Sequence, residues 1–226
     1  MKQPIQAVIF DMDGLMFDTE RISFLCFSKA LKTYNLTLDE VFFGRTIGTN
    51  IKVTEQLYLE QFGADLPFAK VYRQKALFVK QYIETHNVPV KKGLYELLAF
   101  LRQHKIKTAV ATSSNRENAL HLLNSAQVAN YFDYILCGDE VTKSKPEPEI
   151  FLKTAEKLSC TPQNCLVLED SPKGILAAHR AGMKVILIPD MAEVDETTKN
   201  LAMTTLHSLS EVADYLNSEN LIKKQL

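Results

Sequence analysis

The sequence predicts an α/β protein, a doubly wound parallel sheet interrupted by an all-helical insertion, and three observations carry that reading. Ala7-Val8-Ile9-Phe10 is an apolar run bounded by turn-type residues, the pattern of a strand buried on both faces. From Gly93 onward, amphipathic helical stretches alternate with short apolar runs, as a parallel sheet with helices on both sides requires. Between these two regions, residues 19 to about 89 contain almost no strand signal, and one crossover cannot absorb so many helices. The expected organisation is therefore an α/β core of residues 1–17 and 90–226, with a helical cap domain of residues 18–89 inserted into it.

Taken in order, Asp18 or Thr19 can cap a helix carrying an apolar stripe through Phe24, Phe27, Ala30 and Leu31, and Asn35-Leu36-Thr37 breaks it. Residues 42–50 read as a glycine-punctuated loop. Helices follow over Ile51 to Phe62, closed by Gly63, and from Phe68 to about Glu84, opened by Pro67. In the core, helices are expected over 94–104, 116–124, 148–158 and 172–181, with strands over 106–111, 134–136, 165–168 and 184–188. A loop over 189–198, a short strand within 201–205 and a helix from Ser208 complete the chain.

Composition removes several classes of function. With 226 residues, 46% hydrophobic and 23% charged, the chain is ordinary globular material able to bury a good core. A formal net charge of -1 gives no global electrostatic case for nucleic acid or an anionic membrane surface. No apolar run approaches the ~18 residues of a membrane-spanning helix, and the start lacks a signal-peptide pattern. The four cysteines (Cys26, Cys137, Cys160, Cys165) lack CxxC spacing and read as free thiols in a reducing, cytoplasmic compartment. The histidines show no metal-ligand spacing. A monomer is expected.

Chemistry is concentrated where strands end. The first strand runs into Asp11-Met12-Asp13-Gly14; if extended geometry persists, both carboxylates emerge on one side of the strand's C-terminal mouth. Two other strands end in Thr112-Ser113 and Glu169-Asp170, and a parallel sheet gathers all three ends on one edge. Each is followed by a helix start, with Ser114 and Ser171 as caps, and helix N-termini favour anions, phosphate above all. So many acids on an anion-friendly edge call for a cation, and Mg2+ takes carboxylate oxygens while bridging them to phosphate. Lys145, stiffened by Pro146 and Pro148, can direct one ammonium toward the same carboxylates.

Asp11-Met12-Asp13-Gly14, Thr112 after a hydrophobic strand, Lys145-Pro146-x-Pro148-x-x-Phe151 and Glu169-Asp170-Ser171-x-x-Gly174 resemble, in order, the four motifs of the haloacid-dehalogenase-like phosphohydrolases. The helical block resembles that family's cap in its β-phosphoglucomutase-like and small-metabolite phosphatase branch. The resemblance implies a Rossmann-like core and a Mg2+-dependent phosphomonoester hydrolase. In it Asp11 is the nucleophile, forming an aspartyl-phosphate, and Asp13 the general acid and base. Asp11, the Asp13 carbonyl and Asp170 hold Mg2+, with Glu169 a ligand or one step behind, and Thr112 and Lys145 grip the phosphoryl oxygens.

A sugar-phosphate mutase and a non-catalytic regulatory protein are the alternatives. The mutases carry a histidine where this sequence has Ser23, and an arginine near Asn50 and Ile51 where only Arg45 stands close, so water is the expected acceptor. Dehalogenation would leave Asp13 and Asp170 idle. The substrate expected is a small phosphorylated metabolite, a sugar phosphate or a nucleotide-like alcohol. Candidates for contacting it are Phe17, Ser23, Phe27, Arg45, Thr46, Gly48, Asn50 and Lys75 of the first half, with Ser113 and Asn115 from the core edge.

Overall fold

A computed structural model describes residues 4–49 and 51–222. The apolar runs form a six-stranded parallel sheet: β1 (Ala7–Phe10), β2 (Lys107–Ala111), β3 (Tyr134–Leu136), β4 (Cys165–Glu169), β5 (Lys184–Leu187) and β6 (Thr204–Thr205), in the order β3-β2-β1-β4-β5-β6. Register is set by burial on both faces. Val8 and Phe10 point into one apolar layer with Val110, Leu166 and Leu168, while Ala7 and Ile9 point into the other with Ala109, Ala111 and Val167. A one-residue slip would exchange the two sets, which differ in size. β1 is central, with β2 on one side and β4 on the other. Its C-terminal end therefore lies where the sheet reverses its direction of growth, the place where open α/β sheets take their ligands.

The chain leaves this centre at once. Gly14, at φ +82, turns it, and Phe17 bridges antiparallel to Val90, so the outgoing and returning segments pair as a short ribbon. The Asp18 N–H donates to the Pro89 carbonyl at 2.9 Å, and the Lys91 N–H to the Met16 carbonyl at 2.9 Å. Between them stand α1 (Thr19–Lys32), α2 (Glu40–Thr46), α3 (Ile51–Phe62) and α4 (Phe68–His86). They share an aromatic core of their own. The fully buried Tyr58 ring has Phe27 at 5.0 Å, Phe42 at 5.2 Å and Phe68 at 5.4 Å between centroids.

Helix α2 corrects the expected loop over 42–50. Asp39 caps it, its side chain accepting from the Phe42 N–H at 2.9 Å, and Phe42 and Phe43 bury into the aromatic core. That anchoring outweighs the helix cost of about 1 kcal/mol for Gly44. Asn50 lies outside the described residues.

The returning half lays α5 (Leu94–Gln103) and α6 (Arg116–Ser125) on one face of the sheet, and α7 (Glu149–Lys157) and α8 (Pro172–Arg180) on the other. The loop expected over 189–198 instead closes in a short helix, α9 (Glu196–Lys199), because Asp195 caps it through the Thr198 N–H at 3.0 Å. α10 (Val212–Ser218) completes the first face. Among the described residues, no helix is long and apolar enough to cross a membrane.

Within the aromatic core, the buried Tyr58 hydroxyl meets no hydrogen-bond partner among the described residues. A buried hydroxyl without a partner costs about 1–3 kcal/mol. Tyr58→Phe is therefore expected to stabilise the protein by roughly 1 kcal/mol, read as a higher urea midpoint at unchanged slope. A fall in the midpoint would mean that the hydroxyl is bonded.

Candidate active site

Asp11 follows β1 without leaving the sheet, its N–H donating to the Leu168 carbonyl of β4 at 3.0 Å. Its carboxylate meets Lys145, carried in by the Lys145-Pro146-Glu147-Pro148 arm that leads into α7. The Lys145 ammonium is buried and donates to Asp11 Oδ1 at 2.5 Å, Glu169 Oε1 at 2.7 Å and the Ala111 carbonyl at 3.1 Å. Those three bonds use every proton it has. The Phe151 ring lies 4.9 Å from the nitrogen. Burial pushes the Asp11 carboxyl up to about 7, against the Lys145 ammonium and with the Glu169 charge. Burial disfavours the Lys145 ammonium as well, but Asp11 and Glu169 outweigh it and hold the lysine firmly charged.

Glu169 is fully committed. Its second oxygen accepts from the Asp170 N–H at 2.9 Å, the Ser171 N–H at 2.9 Å and the Ser171 hydroxyl at 3.0 Å. A Cβ on Gly174 would fall 1.7 Å from Glu169 Oε1, so α8 can pass behind this carboxylate only with glycine there. Expected as a metal ligand or one step behind, Glu169 gives one oxygen to Lys145, which holds Asp11, and the other to the turn that opens α8.

Asp170 differs. It is buried, and among the described residues no cationic side chain pairs with it. Burial, then the Glu169 and Asp11 charges, raise its pKa well above the usual carboxylate range. A Cβ on Gly14 would fall 2.2 Å from Asp170 Oδ2, so the turn after β1 also requires glycine for the close approach of a carboxylate. Three buried carboxylates, Asp11, Glu169 and Asp170, thus stand near one buried ammonium that pairs with the first two only. Such an excess of hard oxygen donors suits a divalent cation of the Mg2+ kind, with Asp11 and Asp170 as its carboxylates.

Asp13, close enough for its charge to act on Asp11, has partners of its own: it accepts from the Thr19 hydroxyl at 2.7 Å and the Ser114 hydroxyl at 2.7 Å. Thr112 is fully buried; its hydroxyl reaches Asp13 at 3.4 Å and accepts from the Ser114 N–H at 3.0 Å. Ser114 is not the helix cap. Asn115 caps α6 through the Asn118 N–H at 2.9 Å, freeing the Ser114 hydroxyl for the site. Ser171 does cap α8, as expected.

The insertion contributes one residue that sequence reasoning left unassigned, Glu20, beside the candidates Lys75, Gly48 and Ser23. Glu20, in the first turn of α1, is pushed up to about 8 by burial and by the Asp13 charge, against Lys75. Burial lowers the Lys75 pKa, and its ammonium lies 5.1 Å from the Phe27 ring centroid. Gly48 reaches the core, its carbonyl accepting from Lys173 at 2.8 Å. Ser23 is half-buried on α1, whereas Arg45, Ser113 and Asn115 are exposed. Phe17, Phe27 and Thr46 are not free to meet a substrate. Phe17 is packed in the ribbon, Phe27 in the aromatic core, and Thr46 is bonded to the Phe43 carbonyl at 2.7 Å.

The sequence pattern of the haloacid dehalogenase-like hydrolases matches residues 8–188. The chain belongs to this family. Among its relatives, a phosphorylated carbohydrates phosphatase of Thermotoga maritima is 31% identical over 182 residues, covering 80% of this chain and 84% of that protein. A probable pseudouridine-5'-phosphatase of Drosophila melanogaster is 31% identical over 209 residues, covering 90% and 89%. Among solved structures, a putative β-phosphoglucomutase from Thermotoga maritima superposes with a TM-score of 0.78 at 27% identity, covering 95% of this chain and 99% of that one. Within this haloacid dehalogenase-like hydrolase, the ordered motifs converge on one sheet edge, while a fifth acid, Glu20, comes from the insertion.

Glu20 supplies a pH signature. Its folded pKa of about 8 lies above the ordinary 4.5, so between those values the folded chain holds a proton that the unfolded chain has lost. Its contribution to stability therefore falls as pH rises from about 4.5 to about 8. In chelator, Glu20→Gln is expected to match the wild-type melting temperature near pH 4 and to exceed it near pH 8. Parallel melting curves across that range would contradict the assignment.

Proposed function

We propose that this protein is a Mg2+-dependent phosphomonoester hydrolase acting on a small phosphorylated metabolite through an aspartyl-phosphate on Asp11. The observation that carries the proposal is the buried cluster at the sheet's switch point. One carboxylate, Asp11, is oriented by an ammonium; a second, Asp170, has no cationic partner among the described residues; a third, Asp13, is turned toward hydroxyls at the mouth. The phosphatase names of the relatives agree with it.

In the first step an Asp11 oxygen forms a bond to phosphorus as the ester P–O bond breaks, and Asp13 gives its proton to the departing alkoxide. In the second, Asp13 takes a proton from water, whose oxygen displaces Asp11 from phosphorus and releases inorganic phosphate. The Thr19 and Ser114 hydroxyls hold the Asp13 carboxylate in place for both transfers. Lys145 keeps Asp11 aligned and offsets the charge that Glu169 and Asp170 impose on it; to reach a phosphoryl oxygen it must exchange one of its three acceptors, of which the Ala111 carbonyl is the farthest. A divalent cation held by Asp11, the Asp13 carbonyl and Asp170 would neutralise the oxygens of the group in transfer.

Residues 18–89 act, in this reading, as a cap that presents Glu20, Lys75 and Ser23 to the leaving group and limits water at the mouth. The Lys173–Gly48 bond and the seating of Met191 against the insertion's aromatic core support a docked position over the core. Gly48 lies at that contact, and Arg45, Ser113 and Asn115 are exposed. The likeness to a putative β-phosphoglucomutase keeps one second reading, in which another sugar rather than water receives the phosphoryl group.

Phosphate release from sugar phosphates, nucleoside monophosphates and an aryl phosphate, with Mg2+ and with chelator, separates these. Release is expected only with the metal, and Asp11→Asn should lower it by about a thousand-fold or more while the protein stays folded. Turnover surviving in Asp11→Asn would refute the nucleophile. Metal-dependent isomerisation without phosphate release would establish the mutase.

A further inference from the structure

Asp190, just beyond β5, stands outside all four motifs, and its two oxygens have different surroundings. Oδ1 accepts from Arg21 of α1 at 2.6 Å and from Lys91 of the returning segment at 2.6 Å. Asp18, on the outgoing segment, joins the same group, 2.8 Å from Arg21 and 3.3 Å from Lys91. One oxygen of Asp190 thus ties together both crossings between core and insertion. Oδ2 has no such partner. The side chain is 3% exposed, and Oδ2 is buried without a hydrogen bond among the described residues.

Where Oδ2 points is set by the turn after β1. A Cβ built on Gly14 would lie 3.4 Å from Asp190 Oδ2 and 2.2 Å from Asp170 Oδ2, so the two acidic oxygens flank the same glycine. The Asp190 charge reaches far enough to be felt at both Asp170 and Glu20. A buried carboxylate oxygen with no donor is costly unless something supplies one. Mg2+ retains several waters when bound by few carboxylates, and each water needs acceptors for its protons.

We propose that Asp190 belongs to the metal centre as an outer ligand: its Oδ2 accepts a hydrogen bond from a water carried by the cation on Asp11 and Asp170, while Oδ1 clasps the two hinge segments. This rests on the metal site proposed above. It gives the centre a contact with the hinge that the four motifs do not contain, and it makes Asp190 a positioning residue.

Calorimetric titration of Mg2+ into the full chain, without substrate, tests this apart from turnover. Loss of an outer partner commonly weakens metal affinity by about 10–100-fold, and Asp190→Asn is expected to fall in that range. Arg21→Met, which breaks the exposed part of the clasp and leaves Oδ2 in place, should keep the wild-type affinity. Wild-type affinity in Asp190→Asn would overturn the proposal, as would an equal loss in Arg21→Met, because Asp190 would then act only through the hinge. Should Asp190→Asn fail to fold, Asp190→Glu preserves the charge facing Arg21 and Lys91 while displacing Oδ2, and carries the same expectation. Asp170→Asn, run alongside, separates the two levels: if it too binds Mg2+ like wild type, the metal site itself is refuted; if it loses binding while the Asp190 variants do not, only the role of Asp190 is.

Discussion

The arrangement of the sheet's C-terminal edge depends on one buried ammonium. Lys145 reaches Asp11 at the end of β1, Glu169 at the end of β4 and the Ala111 carbonyl at the end of β2, three adjacent strands of the sheet. Without it the switch point would hold crowded carboxylates in a low-dielectric setting, where an uncompensated charge costs several kcal/mol. The surrounding sequence follows from that constraint. Gly174 admits Glu169, Gly14 admits Asp170, Ser171 bonds Glu169 and caps α8, and Phe151 lies beside the ammonium. The ion pairs orient Asp11 but leave Asp170 without a cation among the described residues, and that imbalance is the physical basis for the divalent metal proposed there.

A second set of charges governs how the insertion meets the core. The two crossings pair as a ribbon through Phe17 and Val90, and Asp18, Arg21, Lys91 and Asp190 form an alternating cluster beside it. Most of its members are partly exposed, so the individual pairs contribute little to stability. Asp190 is the exception in burial, and it alone in the cluster combines cations on one oxygen with an unpartnered oxygen directed at the site. The aromatic core around Tyr58 gives the insertion cohesion of its own, while Phe17 and Val90 of the ribbon pack into one layer of the sheet.

Legibility from the sequence followed the range of the interactions involved. The strands were readable because burial on both faces leaves near-continuous apolar runs, and the DxDG, Lys145-Pro146 and Glu169-Asp170 motifs were readable because each is local. Helix α2 was hidden by Gly44; the decisive facts are the Asp39 cap and the burial of Phe42 and Phe43. Ser114 reads as a cap because it precedes a helix, yet Asn115 caps equally well and does so. Glu20 could have been found: it follows shortly after the DxDG motif, in the first turn of a helix that starts at the site. Asp190 could not, since its cationic partners lie 169 and 99 residues away in the chain. The phenylalanines named as substrate contacts failed for the ordinary reason that aromatic residues at helical spacing build cores.

The most direct test of this account is equilibrium denaturation of Lys145→Met, alone and combined with Asp11→Asn and Glu169→Gln. Removing one partner of a buried ion pair typically destabilises by about 3–5 kcal/mol because it leaves an uncompensated buried charge, a penalty that neutralising the two paired carboxylates as well relieves. The single variant is expected to lose that much near pH 7, and the triple variant to recover most of it. A single variant as stable as the wild type, or a triple variant no better than the single, would contradict the claim that this lysine makes the acidic edge possible.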